Sequence, residues 1–270
     1  MSVPLAASIP REIVIVGPGR VGSAFVRAAV AAGARPHVIG RGGPHTPLQN
    51  PHPGVPIIVC TRADDLAGVI AVTAPENRGD LVFVQNGMIG PLLAAHGLAG
   101  ATQGLVYFAA TTRAGPVEAG APSLFHGPHA AAMVEILAAD RIPAEVVPDR
   151  EAFAREVGTK LAWNAIFGLL GERYGESVGE TVARRRAEID ALAAELAPVL
   201  ARGLATTMPT DALVRRLVAY STSIPTFLAT VKELPWRNGW IAQAARDFAL
   251  PAPTHDRLLR ETGHAAVTDA

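Results

Sequence analysis

The chain has 270 residues, with 24 basic and 24 acidic side chains and 49% hydrophobic content. This composition excludes a disordered polymer and gives no basic field for nucleic acid or an anionic membrane surface. A single cysteine, Cys60, excludes an intramolecular disulfide framework and any multi-cysteine metal site, and it fits a reducing compartment.

At this length one large domain or two modest ones are expected. The opening Met1–Pro10 has no basic segment ahead of an apolar run, so no secretory signal is read and the expected address is the cytoplasm. Ile13-Val14-Ile15-Val16 is a four-residue apolar run closed by glycine and is predicted as a strand, with an alanine-rich helix over 23–32. Further strands are predicted over 36–39, 56–60, 81–84 and 105–108, with a helix over 64–73. Residues 81–112 lack Asp, Glu, Lys and Arg and are long enough to span a bilayer. Gln85, Asn86, Gly87, Gly90, Pro91, His96, Gly97 and Gly100 break that stretch into strand, loop, short helix and strand.

Strands that are apolar on both faces and alternate with helices predict a doubly wound parallel sheet covered on both sides. After Pro148-Asp149-Arg150 the period is helical throughout, over 151–170, 184–202, 211–219, 235–250 and 254–262. The expected organisation is an α/β domain over 1–150 and an all-helical domain over 151–270.

Gly17-Pro18-Gly19-Arg20-Val21-Gly22 is a G-x-G-x-x-G that follows a predicted strand and opens a predicted helix, the context that makes it a dinucleotide fingerprint. Gly17 permits the tight turn, Gly19 lets the backbone approach a pyrophosphate, and Gly22 lets the helix pack on the strand. The helix N-terminus faces the phosphates. At the end of the second strand, His37-Val38-Ile39-Gly40-Arg41 lacks the carboxylate that holds a ribose 2′-hydroxyl. Arg41 suits a 2′-phosphate, so NADP(H) is expected over NAD(H).

On the helix 151–170, Phe153, Val157, Lys160 and Asn164 fall within an arc of roughly 60°. Trp163, Phe167 and Leu170 form a neighbouring apolar line. Lys160 and Asn164 therefore continue an apolar stripe, where they could line a polar cleft and offer one positive charge and directed hydrogen bonds to a carbonyl or carboxylate. The competing reading is a surface pair between Glu156 and Lys160, four residues apart.

Together these pieces resemble the ketopantoate reductases (2-dehydropantoate 2-reductases), over about 11–260. The matching segments come in family order. They are Gly17–Gly22, Ile58-Val59-Cys60-Thr61-Arg62, Gln85-Asn86-Gly87-Met88, Lys160-Leu161-Ala162-Trp163-Asn164-Ala165 and Glu233-Leu234-Pro235-Trp236-Arg237-Asn238-Gly239, with Leu250-Pro251-Ala252-Pro253 after them. The resemblance implies a Rossmann-type domain followed by a helical domain like the C-terminal part of 6-phosphogluconate dehydrogenase. It also implies NADPH-dependent reduction of a 2-keto acid to a 2-hydroxy acid, as in pantothenate biosynthesis.

By the same resemblance Lys160 is the general acid toward the carbonyl oxygen, and Glu233 holds a substrate hydroxyl and steadies the lysine. Asn86 lies beside nicotinamide and substrate, and Asn164 contacts the substrate. Thr226, with Ser223 next, binds the substrate carboxylate, and Arg62 joins Arg41 at the 2′-phosphate. Two positions depart from the pattern: Gly168 stands where a second asparagine is common, and Pro235 where an aspartate is usual. Both make the site less polar, so a 2-keto acid is expected while ketopantoate itself is not assigned. The expected partners are a small-molecule substrate and, as an assembly to test, a second copy in a homodimer. Alternatives are a related dehydrogenase acting on a 3-hydroxyacid or imine, and a non-catalytic NADPH sensor with a structural lysine.

Elsewhere, His126 and His129 have no acidic or cysteine neighbour in sequence, so no metal is expected there. No G-x-S-x-G elbow accompanies Ser221-Thr222-Ser223. Arg184-Arg185-Arg186 reads as a solvated face, Cys60 as a small buried hydrophobe, and Trp236 and Trp240 as packing residues on one helix.

Overall fold

A computed structural model describes residues 9–43, 46–49, 53–110, 112, 115 and 117–264. The opening stretch read above for a secretory signal lies outside the described residues as far as Ser8. The chain divides into two compact units, Met1–Gln85 with Ile89–Arg150, and Asn86–Met88 with Glu151–Ala270.

The first unit is built on a seven-stranded sheet. Its strands are β1 (Glu12–Val16), β2 (Arg35–Ile39), β3 (Ile57–Val59), β4 (Leu81–Phe83), β5 (Thr102–Leu105), β8 (Ser123–His126) and β9 (Ala144–Val146); β6 (Phe108–Ala110) and β7 (Val117–Ala119) form a separate two-stranded ribbon. The order is β2-β1-β3-β4-β5-β8-β9. The helices are α1 (Arg20–Ala31), a single turn α2 (Thr46–Gln49), α3 (Leu66–Val72), α4 (Gly90–Ala95) and α5 (Ala130–Ala139). From β1 the chain passes first to β2 on one side and then to β3 on the other. The switch point therefore lies at β1, where doubly wound sheets bind ligands beyond the carboxyl ends of the strands. Ile13, Ile15, Ile58 and Val82 are buried with Phe25, Phe125 and Met133 in one core, as expected for strands covered on both faces.

Three details differ from the sequence reading. The sheet is parallel from β2 to β5, but β8 runs antiparallel to β5 before β9 returns parallel to β8. The strand expected over 105–108 is two strands, broken where the backbone N–H of Tyr107 turns to the Ser123 hydroxyl at 3.1 Å. The helix expected over 64–73 begins as a 3₁₀ turn, Ala63–Asp65, ahead of α3.

The second unit is helical: α6 (Arg150–Tyr174), α7 (Val178–Arg184), α8 (Arg186–Gly203), α9 (Thr210–Ser223), α10 (Asn238–Asp247) and α11 (Pro253–Glu261). Helix α6 is its axis. From Leu161 to Gly171 every residue except Asn164 is buried, and the core around it gathers Leu192, Leu196, Leu200, Leu217, Ile241 and Leu258. α7 opens with a capping box, Ser177 with Glu180. The helix expected over 235–250 starts later. Leu234–Trp236 is a 3₁₀ turn and α10 begins at Asn238, so Trp236 and Trp240 sit on different elements. Among the described residues, no helix is long and apolar enough to cross a membrane.

Candidate active site

The glycine loop has the geometry that its spacing predicts. Gly17 adopts φ +92°, and a Cβ there would lie 3.0 Å from the backbone of Cys60 and Thr61. A Cβ at Gly22 would sit 2.1 Å from the Gly17 carbonyl oxygen, so no side chain fits between loop and helix. At Gly19, by contrast, a Cβ would meet nothing within 4 Å, and that face is open. Helix α1 has no side-chain cap and no acidic residue in its first turn. Arg20, Val21 and Gly22 precede the first α-type bond, from Ser23 N to Gly19 O at 2.9 Å. An uncapped helix start with an open glycine in front of it suits a pyrophosphate.

Arg41 and Arg62 are exposed, just beyond the carboxyl ends of β2 and β3, the two neighbours of β1. Next to the same loop, the partly buried Cys60 thiol is pushed up by burial. Gln85 donates to the carbonyls of Val59 (2.7 Å) and Thr61 (3.1 Å), tying β4 to β3.

The helical unit assembles the second group of residues. Asn86, Gly87 and Met88 belong to this unit and are fixed on Trp236, whose carbonyl accepts the N–H of Met88 at 2.7 Å. Gly87 makes this possible. Its φ is +102°, and a Cβ would fall 2.6 Å from the Trp236 carbonyl oxygen. The residue after Trp236 is Arg237, which is 6% exposed. Its Nη2 donates to Glu233 Oε2 at 2.6 Å and its Nη1 to Asn164 Oδ1 at 3.2 Å. Asn164 Nδ2 in turn donates to the Lys160 carbonyl at 2.9 Å. The predicted residues Lys160, Asn164 and Glu233 are thus brought together, and Arg237 is the group that joins them.

Glu233 holds its place in the left-handed region, φ +48° and ψ +47°, a conformation that costs a non-glycine residue about 1 kcal/mol or more and persists only where its surroundings enforce it. Its ion pair with Arg237 is one such constraint. Lys160 is partly buried, and its ammonium is brought down to about 7, first by burial and second by the positive charge of Arg237. Glu156 is the partner of Arg216.

One departure from the family pattern, Gly168, has a steric basis. A Cβ at Gly168 would lie 3.1 Å from the Thr230 carbonyl oxygen, and one at Gly171 2.3 Å from that of Ala229. The short connection between α9 and Glu233 therefore lies directly on α6, where an asparagine side chain would stand. Pro235 is exposed in the first turn of the 3₁₀ segment. Ser223, the last residue of α9, donates its hydroxyl to the Tyr220 carbonyl at 2.7 Å, and Thr226 is exposed in the following loop. Among the described contacts, none links either residue to the Lys160 group.

Trp163 stacks on Phe167 (centroids 5.5 Å apart), packs edge-on against Tyr220 (5.1 Å) and donates Nε1–H to Ser221 at 2.9 Å. Trp240 covers Gly203. Within the first unit, His129 pairs with Asp80 at 2.9 Å, a carboxylate that its sequence neighbours do not supply, and His126 Nδ1 meets the Val147 carbonyl. The arginine run is paired: Arg184 and Arg185 meet Glu176, and Arg186 meets Asp190.

Comparison with known proteins gives the fold. A PanE/ApbA-family ketopantoate reductase from Ralstonia eutropha JMP134 superposes with a TM-score of 0.72 at 18% identity, over 96% of this chain and 98% of its own. A D-mandelate dehydrogenase in complex with NADH gives 0.71 at 16% identity, over 96% and 99%. A 2-dehydropantoate 2-reductase from Methylococcus capsulatus gives 0.71 at 14% identity, over 96% and 98%. No protein-family model matches the chain, and neither does any curated protein. The chain has the fold of the ketopantoate reductases, a Rossmann-type sheet unit with a helical C-terminal unit.

Proposed function

We propose that the protein is a nicotinamide-dinucleotide-dependent reductase of 2-keto acids, with NADP(H) preferred. The observation that carries the reading is Lys160, an ammonium brought to about 7 on the buried axis of the helical unit and gathered with Asn164, Glu233 and Arg237. A proton donor is most effective when its pKa lies near the working pH, and an ordinary lysine at about 10.4 is far from it. Gly17, Gly19 and Gly22, with the start of α1, would hold the pyrophosphate, and Arg41 and Arg62 the 2′-phosphate. When bound, the dinucleotide would supply the hydride.

The chain's own residues then have distinct tasks. Lys160 donates a hydrogen bond and then a proton to the carbonyl oxygen as charge grows there. Asn164 fixes the lysine's turn of α6 through the Lys160 carbonyl. Glu233, oriented by Arg237, accepts a hydrogen bond from the product hydroxyl in this reading. Asn86 is fixed by the Gly87–Trp236 contact beside Arg237. The solved neighbours named for ketopantoate reduction and for mandelate dehydrogenation with NADH support the class of chemistry.

The test is cofactor absorbance during turnover of a panel of 2-keto acids with NADPH and with NADH. Oxidation of NADPH dependent on a 2-keto acid, with a lower KM for NADPH than for NADH, is expected. No turnover on any member of the panel refutes the reading.

A further inference from the structure

Helix α6 carries Gly168, Gly171 and Glu172 at the i, i+3 and i+4 spacing that puts three residues on one face. Residues 224–233, which join α9 to Glu233, have no helix or strand of their own. Their backbone lies in the groove that the two glycines leave, Ala229 against Gly171 and Thr230 against Gly168. Such contacts are not directional and would let the segment slide along the helix. The next residue removes that freedom: Val231 donates its N–H to Glu172 Oε1 at 2.9 Å, and among the described hydrogen bonds it is the one made by residues 228–232. The other carboxylate oxygen, Oε2, meets His264 Nε2 at 2.7 Å. His264 is placed in turn by the end of α11. There Gly263, at φ +77°, turns the chain, and the His264 N–H donates to the Leu259 carbonyl at 2.8 Å.

Two residues beyond Val231 stands Glu233, in the left-handed conformation that only its surroundings can enforce. On its far side the constraint is the ion pair with Arg237. On its near side it is the Val231–Glu172 bond, which fixes where the chain leaves α6. We propose that Glu172 is a positioning residue: steadied by His264, it sets the register of the connection on α6 and so the place of the Glu233 carboxylate. The proposal rests on the reading that Glu233 meets the product hydroxyl. It extends the support of the site to the last turn of α6 and the end of α11, all within the helical unit.

The experiment measures amide hydrogen exchange and turnover in the full-length protein for wild type, Glu172→Ala, Glu172→Gln and His264→Ala, each first checked for an intact thermal transition. Losing a bond to a charged acceptor predicts roughly tenfold faster exchange in peptides covering 228–236 in Glu172→Ala. Glu172→Gln keeps an acceptor oxygen for Val231 and should lie nearer wild type. His264→Ala, which keeps the carboxylate but releases it, should fall between them. In turnover of a 2-keto acid well below the thermal transition, a displaced Glu233 predicts kcat lower by roughly tenfold or more in Glu172→Ala, with NADPH affinity unchanged. Glu172→Gln should recover most of that loss. In a Glu233→Gln background the same Glu172→Ala change should cost less than about twofold further, because the group it positions is gone. If Glu172→Ala does not fold, His264→Ala takes its place in each comparison.

Exchange over 228–236 equal to wild type in the folded variants overturns the proposal. Faster exchange with kcat unchanged also overturns it, and so does a loss of kcat repeated in full in the Glu233→Gln background, since either leaves Glu172 a purely structural role. Faster exchange in Glu172→Ala, in a protein whose wild type turns over no 2-keto acid, would keep the hold of Glu172 on the connection and refute the reductase reading, so the two failures are distinguishable.

Discussion

Gly87→Ala is the perturbation whose cost follows most directly from the geometry. The added methyl must adopt φ near +102° and would approach the Trp236 carbonyl oxygen to 2.6 Å and its Cβ to 2.9 Å. The conformational cost is about 1–2 kcal/mol. The methyl also displaces the carbonyl that accepts the Met88 N–H, a bond worth about 1 kcal/mol. The total expected loss is about 2–3 kcal/mol. Gly175→Ala is the matched control in the same unit. It has φ +67° at the end of α6 with nothing within 4 Å of a Cβ, so only the conformational cost, about 1 kcal/mol, applies.

The chain's three tryptophans, Trp163, Trp236 and Trp240, all lie in the helical unit, so urea unfolding followed by tryptophan fluorescence reports on that unit. Gly87→Ala should also lower turnover, because Asn86 moves with the loop. Equal destabilisation by the two substitutions would refute the claim that Trp236 holds the Asn86 loop.

The remaining predictions concern the Gly17–Gly22 loop and two titrating groups. Gly19→Ala should leave thermal stability unchanged, since its methyl meets nothing in the structure, yet weaken NADPH binding at least tenfold in a fluorescence titration, because the methyl enters the face the pyrophosphate would use. With Lys160 at about 7, kcat/KM for reduction should fall as pH rises through that value, because the acid form is lost, while oxidation of the 2-hydroxy acid should rise over the same range. His255, fully buried with Nε2 on Asn238 Oδ1, is held down to about 4 by burial, below its unfolded value of about 6.5. The unfolded chain therefore binds a proton that the folded chain refuses, and about 3 kcal/mol of stability should be lost as pH falls from 6.5 to 4. His255→Gln should flatten that part of the curve in pH-dependent denaturation relative to wild type.

Much of this architecture is readable before any coordinates. Ile13 to Val16 followed by three spaced glycines specifies strand, turn and helix by local sterics alone, and Lys160 and Asn164 share an arc that periodicity reveals. Other features depend on groups distant in sequence. The apolar run 105–108 contains no glycine or proline to announce a break, and the break is made by the hydroxyl of Ser123. Helix α5 is nearly uniform in apolar character from Ala130 to Ala139, so it carries no stripe to distinguish it from strand or loop. Arg237 is the instructive omission. Nothing in its sequence neighbours, a tryptophan and an asparagine, singles it out, and only the folded 3₁₀ turn carries it inward to join Glu233 to Asn164. Gly168, legible as a departure, becomes intelligible once the Thr230 backbone is seen lying against it.

Substituting Lys160 with alanine gives the most direct test of the role assigned to the lysine. With the 2-keto acid on which the wild-type protein is most active, single-turnover rates and NADPH affinity should be measured for both proteins. Removing a general acid typically costs 10²–10⁴-fold in rate, so turnover should fall by at least about a hundredfold while NADPH binds as before and the descending limb of the pH profile disappears. An alanine variant that reduces the keto acid within tenfold of the wild-type rate, with the same pH dependence, would contradict Lys160 as the proton donor.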